Sequence, residues 1–287
     1  MSKPVTIKIF LPEGDPTGIK EAEIINWTGK SFVIPRKKIK TIGKSSVVLN
    51  ELQSQGVYFL IGEDNLEMDK VYIGEAENLF KRLKRHQQKG EDFWNKIVCF
   101  FSKDENLTKA HVKYLESRII EIVSENNRAE LKNSNNSSQP SLSRSDKANV
   151  ENYLEKIKLL LPTLGYNYLK NLSKEEVGKT YYCKAPTNNV KAKGKLTNEG
   201  FVVLKNSLIS KKESPSFDQK SSKNLRDELI ENKILISNEN NYKLKEDQLF
   251  SSPSAAAGFV LGRNANGWTE WQTEDGRTLD EIERQED

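Results

Sequence analysis

The residues best suited to chemistry lie in one stretch of the sequence, between Gly56 and His86. Tyr58 and Tyr72 each stand in a short apolar segment that contains a glycine, and a polar turn separates the two segments. Arg82 follows, with His86, on a predicted basic helix. Phenol, imidazole and guanidinium groups together can hold a phosphodiester, take a proton from water and offset the negative charge that develops. The pattern therefore indicates hydrolysis of a phosphodiester.

Two strands of a predicted hairpin, GVYFLIG at 56–62 and KVYIG at 70–74, carry the tyrosines. Side chains alternate across a strand, so each tyrosine shares a face with the glycine two positions away from it. Paired strands lie about 5 Å apart. The hairpin is therefore expected to bring Tyr58 and Tyr72 close together.

The basic helix that follows is predicted from about Glu77 to Gln88. Asn78, Arg82 and His86 recur at intervals of four residues, so they share one helical face. Two leucines occupy the adjoining face and can seal the helix against the sheet. Most of the lysines on this helix are interpreted as a solvated face, whereas Arg82 is expected to be solvated at the site and to contact phosphate.

Glu116 falls within the apolar face of a long helix predicted from about Thr108 to Ser124. A carboxylate on a buried face must be paired with a cation or bind a metal, because an isolated buried charge is very costly. The sequence leaves both alternatives open: a salt bridge to Arg82 or a lysine, or ligation of a divalent metal ion.

The order GVY, YIG, arginine, histidine and glutamate resembles the GIY-YIG nuclease superfamily over about residues 55–135. The resemblance implies that Tyr58 activates water, that Tyr72 orients water or phosphate, and that Arg82 stabilises the charge on phosphate. Position 75 is a glutamate where repair-type members carry a lysine, and we expect this carboxylate to lie beside the site.

The same resemblance implies roles for three further residues. Glu116 matches the single carboxylate that ligates Mg²⁺ or Mn²⁺, and His86 matches a histidine that assists the base or the leaving group. Asn133 is the best match to the final polar residue of the family. Competing matches to that last position are Asn126, Asn127 and Asn135.

The predicted fold class is α+β, with a GIY-YIG nuclease core formed by a small three-stranded antiparallel sheet flanked by helices, and a second, smaller α+β domain. The predicted organisation is an N-terminal accessory segment at 1–48, a nuclease domain at 49–166, a linker at 167–177 and a C-terminal domain at 178–287. A polar loop is predicted at 132–146.

The C-terminal region, over about 180–287, resembles a domain of unknown function that often follows GIY-YIG modules, through the pattern SPSAAA, NGW and GRTL. Nucleic-acid targeting is a hypothesis for this region. Three lysines, Lys191, Lys193 and Lys195, offer phosphate contacts. Trp268 and Trp271 are either core residues or a platform on which bases stack, and we favour the core for at least one of them.

Composition narrows the class of protein. The 287 residues carry a formal net charge of +4, which is too small to prove a nucleic-acid partner. No apolar run approaches the ~20 residues needed to span a bilayer, and the N-terminus lacks a secretory pattern. Cys99 and Cys183 match no metal or redox spacing, which favours a reduced, cytoplasmic setting. With only two histidines and no cysteine cluster, a zinc site is not expected.

The sequence thus predicts a metal-dependent endonuclease that cleaves nucleic acid, DNA rather than RNA, by a one-metal, in-line hydrolysis. Arg82 and a metal ion on Glu116 are expected to lower the pKa of Tyr58 or to favour direct proton transfer to a neighbour such as His86. The alternatives are a nucleic-acid-binding reader with weak or no cleavage and an interaction scaffold in which these residues only pack. One site per chain cuts one strand, so double-strand cleavage needs a dimer or two visits, and the oligomeric state stays open.

Overall fold

The computed structural model describes residues 4–42, 46–62, 69–90, 92–104, 106–126, 128–133, 139–170, 179–186, 189–214, 217 and 221–284. The chain forms two compact units, Met1–Lys170 and Asn171–Asp287, and the division falls within the predicted linker. The fold is mixed α+β, as predicted. Within the ranges given above, no helix is both long and apolar enough to cross a membrane.

The first unit alternates strands and helices along the chain. Its elements are β1 (Ile7–Phe10), β2 (Lys20–Ile24), β3 (Gly29–Pro35), a 3₁₀ turn (Arg36–Lys38), α1 (Ile39–Ile42), α2 (Ser46–Glu51), β4 (Gly56–Gly62), β5 (Lys70–Ala76), α3 (Leu79–Gln88), β6 (Lys96–Ser102), α4 (Lys109–Asn126), β7 (Glu130–Leu131) and α5 (Arg144–Thr163).

The sheet of the first unit is larger than the three strands predicted. Its strand order is β1-β2-β3-β6-β4-β5-β7, and only β7 pairs in parallel. The predicted strands are β4, β5 and β6, at one side of this sheet. The segment at 1–48, predicted as an accessory, supplies β1, β2 and β3 of the same sheet. It is joined to the predicted strands by β3, which pairs with β6 along its whole length, from Gly29 opposite Ser102 to Pro35 opposite Lys96.

Helices cover both faces of this sheet, and the two faces carry separate apolar cores. Tyr58 and Leu60 point to the face covered by α1, α2 and α3. Val57 and Phe59, which alternate with them, point to the face covered by α4 and α5. A sheet that is buried on both faces needs strands that are apolar throughout, and β4 is buried at every position.

Helix ends in this unit are fixed by side-chain caps. Asn78 precedes α3, and its Oδ1 accepts a hydrogen bond from Lys81 N at 2.9 Å, so it caps the helix and is not part of the catalytic face. Thr108 caps α4 as predicted, since its Oγ1 accepts from His111 N at 3.3 Å. The predicted loop at 132–146 is wrong at its end, because α5 begins at Arg144 with Ser143 as the cap.

The second unit is built on one antiparallel sheet. Its elements are β8 (Thr180–Ala185), β9 (Val190–Thr197), β10 (Gly200–Val203), β11 (Leu208–Ser210), α6 (Ser221–Glu231), β12 (Leu235–Ser237), β13 (Asn241–Leu244), β14 (Gln248–Phe250), α7 (Pro253–Leu261), α8 (Gly267–Glu270) and α9 (Leu279–Glu283). The strand order is β12-β13-β11-β9-β10-β14, and β8 also pairs with β9.

The core of the second unit forms around α7, a small-residue helix that packs against the sheet. Ser252 caps it, with Oγ accepting from Ala255 N at 3.1 Å. Trp271 is fully buried and donates from Nε1 to Pro253 O at 3.0 Å, so it is a core residue, as we expected for one of the two tryptophans. The half-buried ring of Trp268 lies 3.7 Å from the guanidinium carbon of Arg284.

Candidate active site

The tyrosine of the first motif and the glycine of the second are cross-strand partners. In the β4–β5 register Tyr58 lies opposite Gly74, while Leu60 lies opposite Tyr72. A Cβ atom on residue 74 would lie 2.4 Å from both Cζ and Oη of Tyr58. Only glycine therefore leaves the space that the Tyr58 ring occupies, which gives the YIG glycine a physical reason.

The Tyr58 hydroxyl is the centre of a hydrogen-bonded cluster with α3. Its Oη lies 2.8 Å from Nε2 of His86 and accepts a hydrogen bond from Nε of Arg82 at 3.0 Å. Tyr58 is 0% exposed and His86 is 5% exposed, so water does not compete with these contacts. Positions 82 and 86 are one helical turn apart, which is why both side chains reach the same hydroxyl.

The donors and acceptors of this cluster constrain one another. A guanidinium group only donates, so the Tyr58 oxygen must accept from Arg82. When His86 is neutral and carries its proton on Nδ1, its Nε2 can accept the phenolic proton of Tyr58. In that arrangement a proton can move directly from Tyr58 to His86.

Tyr72 stands between this cluster and solvent. Its ring centre is 6.2 Å from that of Tyr58 and 5.5 Å from that of His86. In contrast to both of them it is half-buried, so its hydroxyl is the more accessible of the two tyrosine hydroxyls. The four side chains Tyr58, Tyr72, Arg82 and His86 are thus brought together, from two strands and one helix.

The pKa of Tyr58 is higher than expected. Burial raises the pKa of Tyr58 above its ordinary value of 10.0, and the hydrogen bond from Arg82 offsets only part of that effect. Arg82 does lower this pKa, as expected, but burial has the larger effect and the net shift is upward. Arg82 is also half-buried rather than solvated, and its hydrogen bond with Tyr58 raises its own pKa.

Asn133 is a backbone partner of β5. Its Oδ1 accepts from Ile73 N at 3.0 Å, and its Nδ2 donates to Ile73 O at 2.7 Å. The side chain thereby continues the pairing of β7 with β5 by one step, at the residue between Tyr72 and Gly74. Of the competing matches, Asn126 donates to Tyr168 O at 3.1 Å, and Asn127 and Asn135 lie outside the described residues.

Glu116 is half-buried on α4, a helix whose apolar residues pack on the face of the sheet opposite to Tyr58. A salt bridge between Lys109 and Glu77 holds the start of α4 at the end of β5. The strand after α4, β7, pairs with the start of β5, so α4 runs back along β5. Seven residues along a helix span roughly 10 Å, the length of about three strand residues, so we expect the backbone of Glu116 at about the level of Gly74 and Ile73. This is the part of the β5 edge that Asn133 occupies.

Glu75 is on the α4 face of the sheet, not beside the tyrosines. It lies opposite Val57 in the register, and Val57 belongs to the α4 core. Glu75 follows Gly74 in β5, so the carboxylate expected beside the site is next to it in sequence and on the other face of the sheet. Its negative charge acts on the side of the sheet from which Glu116 approaches the β5 edge.

The donor set decides which metal ions fit. Among the described residues, no group of three or more histidine, cysteine, aspartate or glutamate side chains is placed to hold an ion. Mg²⁺ keeps several waters and is commonly held by one or two carboxylates together with substrate phosphate. A single carboxylate, from Glu116, fits that mode of binding and does not fit a closed cage of protein ligands.

A polar cavity of about 570 Å³ lies at the end of β5 and was not apparent in the sequence. Its lining comes from separate elements: Asn50, Gln53, Ser54, Gln55, Glu77, Ser102, Leu107 and Lys109. Four of these residues lie at 50–55, just before β4, and the pairing of β4 with β5 and with β6 brings them near Glu77 and Ser102.

Comparison with known proteins gives one match. The family model described as "Domain of unknown function (DUF4357)" matches residues 181–283. The match lies in the second unit and falls within the range that the sequence resemblance covers. No curated protein and no solved structure matches the chain.

Proposed function

We propose that the first unit is a metal-dependent endonuclease that hydrolyses phosphodiester bonds, in DNA rather than RNA. One observation carries the proposal: a buried tyrosine hydroxyl lies within hydrogen-bonding distance of both an arginine and a histidine. A packing tyrosine needs one partner for its hydroxyl, whereas a group that moves a proton needs an acceptor and a cation that stabilises the phenolate.

The proposed step uses these side chains in order. The Tyr58 proton passes to Nε2 of His86, and the resulting phenolate, held by Arg82, accepts a proton from the attacking water. The water oxygen forms the new bond to phosphorus in line with the bond that breaks, and protonated His86 gives its proton to the leaving oxygen, which restores both side chains. Arg82 also offsets the charge on the non-bridging oxygens.

A divalent ion, Mg²⁺ or Mn²⁺, would be held by Glu116. When bound, it supplies positive charge that neutralises the phosphate oxygens and favours ionisation of the attacking water. A single carboxylate supports a one-metal reaction. Tyr72 orients the water or the phosphate from the accessible side of the cluster, and Asn133 fixes the backbone of β5 on which Tyr72 stands.

A nucleic-acid-binding reader with weak cleavage is the second candidate. Two observations favour it over a fast nuclease. Burial raises the pKa of Tyr58, which disfavours the phenolate at neutral pH, and the apolar residues of α4, the helix that carries Glu116, pack on the opposite face of the sheet. If no metal ion connects Glu116 with the cluster around Tyr58, the protein is expected to bind nucleic acid without cleaving it.

The deciding experiment is cleavage of supercoiled plasmid, single-stranded DNA and RNA in Mg²⁺ or Mn²⁺. Tyr58→Phe and Glu116→Gln are compared with Glu125→Gln, which changes an exposed carboxylate on the same helix. Activity in the wild type and in Glu125→Gln, lost in the other two folded variants, supports the nuclease. Equal activity in all four proteins contradicts the assignment. Binding without cleavage by the wild type favours the reader.

Metal stoichiometry tests the one-metal form of the proposal. Titration with Mn²⁺, followed by electron paramagnetic resonance, is expected to show one site that is lost in Glu116→Gln and kept in Glu125→Gln. A requirement for two ions per active site would contradict it. The same plasmid assay distinguishes a monomer from a dimer. A monomer first produces nicked circles, whereas a dimer can produce linear DNA directly.

A further inference from the structure

One face of the sheet in the second unit carries a row of lysines. Along β9, Lys191, Lys193 and Lys195 alternate with residues of the core and therefore point to the other face. The register with β8 places Lys184 opposite Lys191 and Tyr182 opposite Lys193. Two neighbouring strands thus present four lysines and one tyrosine on the same side.

A fifth lysine extends this row across the sheet. Leu208 on β11 pairs with Lys191 on one side and with Lys243 of β13 on the other, so Lys243 shares their face. We call the set the lysine face: Tyr182, Lys184, Lys191, Lys193, Lys195 and Lys243. The seven strands of this sheet contain no aspartate or glutamate, so no acidic side chain of the strands interrupts it.

The lysine face is open to solvent. Lys184, Lys191, Lys193 and Lys243 are exposed, and Lys195 and Tyr182 are half-buried. The opposite face packs against α7 through residues such as Tyr181, Cys183 and Ala192. The core packs on that opposite face and does not account for the lysines, although Val202, opposite Lys195 on their own face, is also buried.

Repulsion between lysines on the lysine face lowers the stability of the second unit unless a bound anion offsets it. Like charges directly opposite each other on paired strands repel, and Lys184 opposite Lys191 is such a pair. Within the described ranges, none of the five lysines forms an ion pair. The ammonium groups of Lys184 and Lys193 lie 5.3 and 5.8 Å from the centre of the Tyr182 ring, which gathers them around one aromatic side chain.

The positive charge is local to this face. The second unit, from Asn171 to Asp287, has 18 lysine and arginine residues against 19 aspartate and glutamate residues, a formal charge of −1. The lysines are therefore concentrated on one face of a unit whose total charge is close to zero. A basic overall composition does not explain them.

We propose that the lysine face binds the phosphodiester backbone of a nucleic acid. Alternate residues of a strand stand about 6.6 Å apart, which is close to the interval between successive phosphates of one nucleic-acid strand. Lysines held on a rigid sheet at that spacing meet a run of phosphates without reading sequence. This site lies wholly in the second unit, so it does not depend on cleavage by the first.

The test measures binding of the full-length protein to labelled single-stranded DNA, duplex DNA and RNA, by fluorescence anisotropy in EDTA over a range of salt concentrations. The double variant Lys191→Glu with Lys193→Glu is compared with Lys212→Glu and Lys223→Glu combined. The control changes the net charge equally, with Lys223 on α6 and Lys212 in the loop after β11, both outside the lysine face. Circular dichroism verifies the fold of each protein.

The lysine-face variant is expected to bind at least tenfold more weakly. Its salt dependence should fall by about 1.4 in the slope of log K for single strands, because two phosphate contacts are lost. The control variant should keep the wild-type slope. Equal affinity and slope in the two double variants would overturn the proposal.

A parallel assay with phosphatidylcholine vesicles that contain phosphatidylserine separates nucleic acid from a membrane surface. Vesicle binding that needs Lys191 and Lys193, without an effect on any nucleic acid, would also overturn the proposal. Loss of binding to only one of the three nucleic acids supports it and identifies the form that the face prefers. Cleavage by the first unit is not a readout of this test.

Discussion

The hydroxyl of Tyr58 lies 2.8 Å from Nε2 of His86, and the whole of this contact is buried between β4 and α3. Both groups are polar, and a buried polar group without a partner costs about 1–3 kcal/mol. Their contact is therefore expected to contribute to stability as well as to chemistry. A useful variant must separate the two effects.

Tyr58→Phe is expected to keep the fold, lose about 1–3 kcal/mol of unfolding free energy and lower cleavage by a factor of about 100 or more. The ring still fills the space beside Gly74, while Arg82 and His86 lose their shared partner. Urea unfolding and plasmid cleavage measure the two effects.

Tyr153→Phe is the matched control for that prediction. Tyr153 is also buried, and its hydroxyl donates to Phe101 O at 2.8 Å in the core under α5. A similar loss of stability with cleavage kept within a few-fold is expected. If the two variants lose cleavage in parallel, the effect of Tyr58→Phe is one of stability and its catalytic assignment fails.

Gly74→Ala is expected to displace the Tyr58 ring, because the new Cβ would lie 2.4 Å from it. Overpacking of this kind costs about 1–3 kcal/mol. The double variant with Tyr58→Ala removes the obstacle, so the two changes should be less damaging together than the sum of their single effects. Additive losses in urea unfolding would show that residue 74 acts through something other than the ring.

Alkaline pH is expected to destabilise the protein partly through Tyr58. Its pKa in the folded state is raised by burial above the ordinary 10.0, so at high pH the unfolded chain loses this proton first. The contribution of Tyr58 to the free energy of unfolding is fully present below pH 10.0. It decreases by about 1.4 kcal/mol for each pH unit above that value, until the pKa of Tyr58 in the folded protein is reached.

The Tyr58→Phe variant isolates that contribution from other groups. Burial also raises the pKa of Cys99 and of Cys183 to about 12, and these thiols remain in both proteins. The difference in unfolding free energy between wild type and variant should therefore shrink as the pH rises above 10.0. A difference that stays constant would contradict the raised pKa.

Asn133→Ala is expected to lower the unfolding free energy by about 2 kcal/mol, since two hydrogen bonds to Ile73 are lost. Cleavage should fall as well, because Tyr72 stands next to the residue that Asn133 holds. Asn126→Ala, which removes one buried hydrogen bond at the end of α4, should destabilise without this effect on cleavage. Amide hydrogen exchange at Ile73 measures the local change directly.

Local patterns were sufficient for the strands and helices around the site. The hairpin of β4 and β5 and the start of α4 near Thr108 follow from alternation and helix caps. The pairing of β3 with β6 did not follow, since about seventy residues separate the two strands. A signal was nevertheless present: FVI at 32–34 and IVCFF at 97–101 are apolar on both faces, which is typical of interior strands.

The candidate site was predictable where it depends on one helix and one hairpin. Spacing placed Arg82 and His86 on one face, and the structure brings both to Tyr58. Burial around the Tyr58 hydroxyl depends on the whole of α3 and the sheet, so the direction of its pKa could not be read from neighbours in sequence. The side of the sheet from which Glu116 approaches depends on how α4 returns along β5, which no local pattern specifies.

The position of β6 between β3 and β4 has a practical consequence for work on the isolated domain. A chain shortened to begin at Leu49, at the sequence-based boundary, would leave β6 without its partner along seven residues. That strand has no proline, its first residue is the only charged one, and it is buried at nearly every position. Such an exposed edge promotes pairing between molecules, so insolubility of a shortened chain would reflect its lost strands and not an unstable site.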